Sequence, residues 1–234
     1  FKISKKENLK YSKIYKKLKI DNLENFKRGN IIIGDLIYDT YLRITPNYTI
    51  KGKDKKLKKI FFRANKIFDE LQKYFQKNQV ICVIPGHTYY INYGIITRIA
   101  IKRKIPVIKI SYKNRANQLF HLMRVEKNGS EEYAYYNYKK IFNSFPNKKK
   151  KLALKIGKKL IEHRLSGKFD NTLPYMPTSA FNKVKKNNNI LKSTKQKIFL
   201  FPHCYLDAPH RYRWMVFDDF YQQMKFFLDQ SKKL

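Results

Sequence analysis

Acidic residues are scarce in this chain. Seventeen Asp and Glu stand against 52 Lys and Arg among 234 residues, a formal net charge of +35. That imbalance points toward polyanionic partners: nucleic acid, anionic lipid or phosphorylated substrates. Cysteine is scarcer still. Cys82 and Cys204 are the only two, with no CxxC between them. This excludes a disulfide-built scaffold and fits a reduced, cytoplasmic compartment. No apolar run approaches the roughly 18 residues of a membrane span, and no signal peptide is legible. P-loop, GxSxG and GxGxxG motifs are all missing.

What is present is globular. Hydrophobic residues make up 43% and aromatics 15% of the chain, enough to build a core in a chain of this length. The positive excess is mostly Lys and comes with abundant Asn, Ile, Tyr and Phe, a mixture that an AT-rich coding sequence produces. Arg, the usual tool for bidentate phosphate and base recognition, is not concentrated. Nucleic-acid binding is therefore the lesser reading of the charge. A basic face on an anionic membrane surface stands at least level with it. The chain begins at Phe1 and its final helical pattern runs to the end, which reads as part of a longer protein.

Periodicity gives the expected elements. Residues 1–20 read as a basic peripheral helix, and Ile31–Ile33 as a short strand. Asp35 is placed to cap the helix that follows. Asp35, Asp39 and Arg43 then share one stripe at four-residue spacing, amid Tyr38 and Tyr41. A long helix runs from Asp54 to Gln76, with one apolar face and Lys outward. Val80–Ile84 is a continuous apolar run, as a strand buried in a parallel sheet would be. It leads through Pro85-Gly86-His87 into a helix over 91–103 and a strand over 106–110. This β-loop-α-β pattern predicts a right-handed crossover and an α/β fold, a Rossmann-like parallel sheet with flanking helices. Phe120–Val125 reads as a further strand. Helices follow from about Tyr133 to Phe145 and over 147–165. The expected domains are residues 1–180, a linker at 181–196, and the start of a second Rossmann-like domain at 197–234. That last segment reads as a strand over Lys197–Phe201, a polar loop, and a helix over Met215–Leu228.

The chemistry gathers at loops after expected strands. His87 lies at the mouth of a helix, where anionic ligands and perturbed pKa values are favoured. The loop from His203 to Arg213 carries His203, Asp207, His210 and Arg211, donors suited to a phosphate or carboxylate. His203, Asp207 and His210 match no metal signature, so no metal is expected. Asp35, Asp39 and His87 are the candidates for a general base. Tyr41, Arg43 and Tyr89 are candidate substrate contacts. Each also has a plainer reading, as a cap, a helical ion pair or a packing aromatic.

Residues 201–228, FPHCYLDAPHRYRWMVFDDFYQQMKFFL, are similar to a motif of bacterial capsule and surface-polysaccharide glycosyltransferases of the GT-B type. There, H-x-x-x-D-x-P-H and an aromatic helix open the second Rossmann-like domain. Ile33–Arg43 and Pro85–Val107 resemble segments of that family's first domain. The resemblance spans roughly residues 29–234. It implies metal-independent transfer of a sugar from a nucleotide-sugar donor to a growing glycan or glycolipid, with no cofactor. It also implies a cytoplasmic enzyme, peripheral at the inner membrane. Asp35, Asp39, Arg43 and His87 would face the acceptor, and His203, Asp207, His210 and Arg211 would line the interdomain cleft. The chain would be the N-terminal half of such an enzyme, inactive without the rest. The competing readings are a basic nucleic-acid-binding protein, and a sulfo- or phosphotransferase acting on glycans.

Overall fold

Eight of the 11 residues of one short helix, Gly34–Ile44, are buried, and the rest of the first compact unit is built around it. The structure is a computed structural model. It describes residues 2–114, 119–124, 134–167, 194, 199–212 and 216–232. In chain order the described elements are α1 (Lys5–Lys17), a 3-10 turn (Ile20–Asn25), β1 (Lys27–Arg28), β2 (Ile31–Ile32), α2 (Gly34–Ile44), α3 (Lys55–Lys77) and α4 (Tyr90–Lys102). They continue with β3 (Ile108–Asn114), β4 (Leu119–Arg124), α5 (Ala134–Ser144), α6 (Asn147–Leu165), a 3-10 turn (Pro209–Tyr212) and α7 (Phe220–Ser231).

The chain divides into two compact units. One takes the described residues of Phe1–Ser111, Leu122–Glu132 and Leu200–Leu234, the other those of Tyr112–His121 and Tyr133–Phe199. The loop and helix after residue 200 thus fold with the N-terminal segment.

In the first unit, Tyr11 and Tyr15 of α1, Leu23 of the 3-10 turn, Ile37 and Leu42 of α2, Leu57 and Phe61 of α3, and Ile95 and Ile99 of α4 form one apolar core. The start of α1 is fixed by a capping box, Ser4 and Glu7 bonding each other's backbone. Asp54 caps α3, its carboxylate accepting from Leu57 N at 2.6 Å. Two glycines set how closely the elements cross. A Cβ on Gly34 would lie 1.7 Å from the Leu23 carbonyl oxygen, and one on Gly94 would lie 2.4 Å from Leu36 Cδ2. The backbone of α2 therefore touches the 3-10 turn, and α4 lies directly on Leu36.

The expected Rossmann-like parallel sheet, and with it the N-terminal half of a GT-B-type enzyme, is overturned. The described structure is mostly helical. Its sheets are two pairs, antiparallel β1–β2 and a second pair β3–β4. Of the β-loop-α-β unit, α4 forms, but the strands on either side of it meet in a single parallel bridge, Val83 to Val107. The physical reason lies in burial. A parallel strand needs cover on both faces. Val83 is buried, yet Ile81 is 79% and Ile84 61% exposed, so among the described residues the apolar run has no second layer to enter. The described part of the strand expected at 197–201 is irregular, with Phe201 88% exposed. Asp35 does not cap α2 either: the helix starts at Gly34, with Ile33 at the capping position and Asp35 in the first turn. The expected linker at 181–196 lies almost wholly outside the described residues.

In the second unit, α6 starts at Asn147 directly after Pro146, as its sequence predicts. None of its residues is buried, and Leu152, Ile156 and Leu160 are exposed. Among the described residues, no helix is long and apolar enough to cross a membrane.

Candidate functional site

Asp39 sits in the middle of α2 and is 1% exposed. Helical spacing puts it about 200° around α2 from the core residue Ile37, and there the loop after residue 200 closes over it. The turn Cys204–Asp207 is closed by Asp207 N donating to the Cys204 carbonyl at 3.1 Å. The Asp207 carboxylate then accepts from Ala208 N at 2.9 Å, and Ala208 is buried. Pro209 starts a short 3-10 turn that delivers His210 onto α2. His210 Nδ1 lies 2.6 Å from Asp39 Oδ1, and the His210 backbone N–H donates to the same oxygen at 3.4 Å.

This buried pair is perturbed on both sides. Burial raises the Asp39 carboxyl to about 6, and the hydrogen bond from His210 keeps it from rising further. Burial alone would lower the His210 imidazole. The hydrogen bond and charge of Asp39 outweigh it, and the net shift is upward from 6.5. One proton is held between the two groups. Asp39 takes the Nδ1 side of the ring, so Nε2 is the nitrogen left for other chemistry.

The dyad rests on a second buried network. The Tyr38 ring packs edge-on against the His210 ring at 4.8 Å. Its hydroxyl donates to Asp219 Oδ2 at 2.7 Å and lies 3.2 Å from Thr49 Oγ1. Asp219 is fully buried, and its other oxygen caps α7 by accepting from Gln222 N at 2.8 Å. Tyr38 and Asp219 thereby tie α2, the loop at Thr49 and the start of α7 together behind the histidine. Burial, with the Asp219 bond, raises the Tyr38 hydroxyl far above its ordinary value, so it stays a donor.

Cationic and phenolic groups complete the surroundings. The Arg211 guanidinium lies 4.7 Å from the Tyr89 ring centre. Tyr90 follows with φ at 62°, in the left-handed region that bulky residues seldom enter. Such strain concentrates at functional sites. Burial and the Asp207 charge push the Tyr90 hydroxyl up to about 12, while Arg43 pulls it down and Asp39 adds to the rise. Tyr90 therefore stands in the field of Asp39, Arg43 and Asp207 together. The start of α4 is fixed there by Thr40, whose hydroxyl accepts from Ile91 N at 3.0 Å.

The candidate residues thus separate. Asp39 and His210 meet directly, and Asp207 and Arg43 share the field of Tyr90. Asp35 is otherwise engaged: Arg98 grips both its oxygens, at 2.5 and 2.6 Å. His87 is exposed, with its ring 4.9 Å from Tyr89 and 5.6 Å from Tyr93. His203 stacks on Phe220 at 4.5 Å and sits 3.9 Å from Asp207. The Tyr41 hydroxyl donates to Asp54 Oδ2 at 2.7 Å. The sequence reading missed Tyr38, Tyr90 and Asp219 as site residues. Asp219 falls in the first turn of the helix expected from Met215, where negative charge suits the helix dipole; the helix starts instead at Phe220 and Asp219 caps it. Tyr38 sits on the acidic stripe but reads as a packing aromatic. No spacing rule foretells a left-handed Tyr90.

Among the described residues, no three His, Cys, Asp or Glu side chains gather as metal ligands. Compared with models of known protein families, with curated proteins and with solved structures, the chain matches none. The likeness to surface-polysaccharide glycosyltransferases rests on the quoted residues alone.

Proposed function

We propose that the Asp39–His210 pair is the general base of a glycosyl transfer from a nucleotide-sugar to a hydroxyl of a surface glycan or glycolipid. The observation that carries this reading is the 2.6 Å bond between a nine-tenths-buried carboxylate and a histidine contributed by a loop 171 residues away. A carboxylate on Nδ1 fixes the tautomer and raises the basicity of Nε2, the arrangement that lets a histidine accept a proton from a hydroxyl near neutral pH. In the step, His210 Nε2 takes the proton of the acceptor hydroxyl and the freed oxygen bonds to the anomeric carbon. The bond from that carbon to the phosphate oxygen breaks, and its electron pair leaves with the nucleotide. Arg211 and Arg43 supply positive charge for the departing phosphate. The likeness of residues 201–228 to the glycosyltransferase motif supports the substrate class.

The test is sugar release and transfer by the protein from a panel of nucleotide-sugars, comparing wild type with Asp39→Asn and His210→Gln. Transfer in the wild type that each substitution lowers by roughly 10²-fold or more, with folding intact by circular dichroism, is the expected outcome. Transfer that survives both removes the dyad from the reaction. Turnover of a sulfate or phosphate donor, with no nucleotide-sugar turned over, replaces the substrate class.

A further inference from the structure

We infer that Tyr48, Tyr205 and Tyr221 form a stacking platform for a pyranose ring of the glycan acceptor. This subsite rests on the glycosyl-transfer reading above and adds where the acceptor lies. Tyr48 stands in the loop after α2 and is 51% exposed. Its ring is 5.5 Å from Tyr205 and 6.1 Å from Tyr221, and those two are 6.3 Å apart. Three tyrosines from the loop after α2, the loop after residue 200 and the first turn of α7 thus make one mutually packed cluster. Tyr48 is exposed, with Tyr205 and Tyr221 half-buried against it, and an aromatic patch open to water is a usual mark of a binding surface.

The space beside the cluster has the character that a sugar needs. A cleft of about 340 Å³ is lined by Tyr41, Asn47, Tyr48, Thr49, Lys51 and Tyr221, among others, within the size range of small-ligand sites. Apolar ring faces lie beside an amide, a hydroxyl and an ammonium. A pyranose presents the same pair of characters, C–H groups on one face and hydroxyls at its rim. The positive C–H edges suit the negative π face of tyrosine, and the hydroxyls suit the polar groups.

Geometry disfavours a nucleobase clamped between two rings. Tyr48 and Tyr221 are nearly parallel, at 23°, but 6.1 Å between centres is less than the roughly 7 Å that a base stacked on both sides would need. The cluster is a surface and not a slot. It also adjoins the dyad. Thr49 lines the cleft and is within 3.2 Å of the Tyr38 hydroxyl, and the Tyr38 ring lies against His210. Two side chains, Thr49 and Tyr38, therefore lie between the platform and the base.

The test is saturation-transfer NMR on the protein with cellotriose, chitotriose and maltotriose as saccharide probes and UDP as the nucleotide probe. Tyr48→Ala, Tyr48→Phe and His210→Gln are compared with wild type. The expected result is transfer from aromatic protons to the ring C–H protons of at least one trisaccharide. Its affinity should fall about tenfold in Tyr48→Ala, be kept in Tyr48→Phe and His210→Gln, and leave UDP binding unchanged. Absence of transfer to all three sugars, or equal binding by Tyr48→Ala, overturns the platform. A drop in UDP binding in Tyr48→Ala overturns the saccharide assignment. Sugar binding that depends on Tyr48, alongside glycosyl transfer indifferent to His210→Gln, keeps the platform and removes only the dyad's role.

Discussion

Asp69 on α3 and Asp39 on α2 are both partly or wholly withdrawn from water, and the molecule treats them in opposite ways. Asp69 receives Lys10 at 2.6 Å, Arg28 at 2.6 Å and the Tyr11 hydroxyl at 3.0 Å. Burial alone would raise its carboxyl, but the Lys10 bond and the Arg28 charge outweigh it and hold it below 3.8. Arg28 in turn bonds Asn65 and lies 5.1 Å from the Phe68 ring centre. The one carboxylate is held by two cations, and the result is a clamp between α1, β1 and α3. Asp39 has burial without such compensation. It meets one neutralisable partner, His210, and its carboxyl rises to about 6. A matched carboxylate stabilises; an under-matched one is left able to exchange a proton. Asp35 belongs with Asp69: Arg98 holds it bidentately.

The largest effect that separates the two regions is on turnover. Asp39→Asn keeps the shape of α2 but removes the carboxylate from Nδ1. Transfer should fall by roughly 10²- to 10⁴-fold, while Asp69→Asn leaves it near wild type. Steady-state rates on both variants check this. Equal losses would mean that Asp39 is structural as well.

Next comes packing that serves both regions. Gly94→Ala drives a methyl into Leu36 and the Thr88 carbonyl. It should cost about 1–3 kcal/mol of stability by denaturant unfolding, and should loosen α4 and Tyr90 together. Asp69→Asn belongs to the same range, about 1–3 kcal/mol, because it strands Arg28 and Tyr11 in a partly dry site.

The pH dependence sharpens the contrast by its sign. His210 acts as a base only when neutral, and its value is raised above 6.5 by Asp39. Wild-type activity should therefore climb through a pH above 6.5. In Asp39→Asn the burial that lowers the imidazole is opposed only by the charges of Asp35 and Glu24, so the residual activity should climb at a lower pH than in the wild type. For stability the two carboxylates oppose each other. Asp39, raised, contributes stability that is full below about pH 3.8 and lost as pH rises to about 6. Asp69, lowered, contributes stability that is present above 3.8 and lost as pH falls below it. Melting curves from pH 3 to 8 on the two Asn variants should lose these two slopes separately. The smallest effect is expected at Lys10→Ala. It removes a half-exposed ion pair worth under about 1 kcal/mol, against the Arg28 half of the clamp that remains.

Much of the helical layer was legible because periodicity answers to burial. The apolar face of α3 and the bounds of α4 and α6 follow from spacing and from the breaks that flank each helix. The sheet was not legible. An apolar run such as Val80–Ile84 reads alike whether both of its faces are covered or only Val83 is. Of the site, the residue types were legible and the pairing was not. Nothing within the acidic stripe of α2 tells Asp35 from Asp39, since both sit on one face at four-residue spacing.

By itself, then, the sequence determined the charge, most of the helices, and the loop that carries His210. Those depend on neighbours within a turn or two of chain. Only the tertiary structure decided that Arg98 would neutralise Asp35, that His210 would cross 171 residues to reach Asp39, and that Asp219 would cap one helix while anchoring Tyr38 of another. Those outcomes depend on which surfaces exclude water together, and burial, not spacing, sets whether a carboxylate there is held or left reactive.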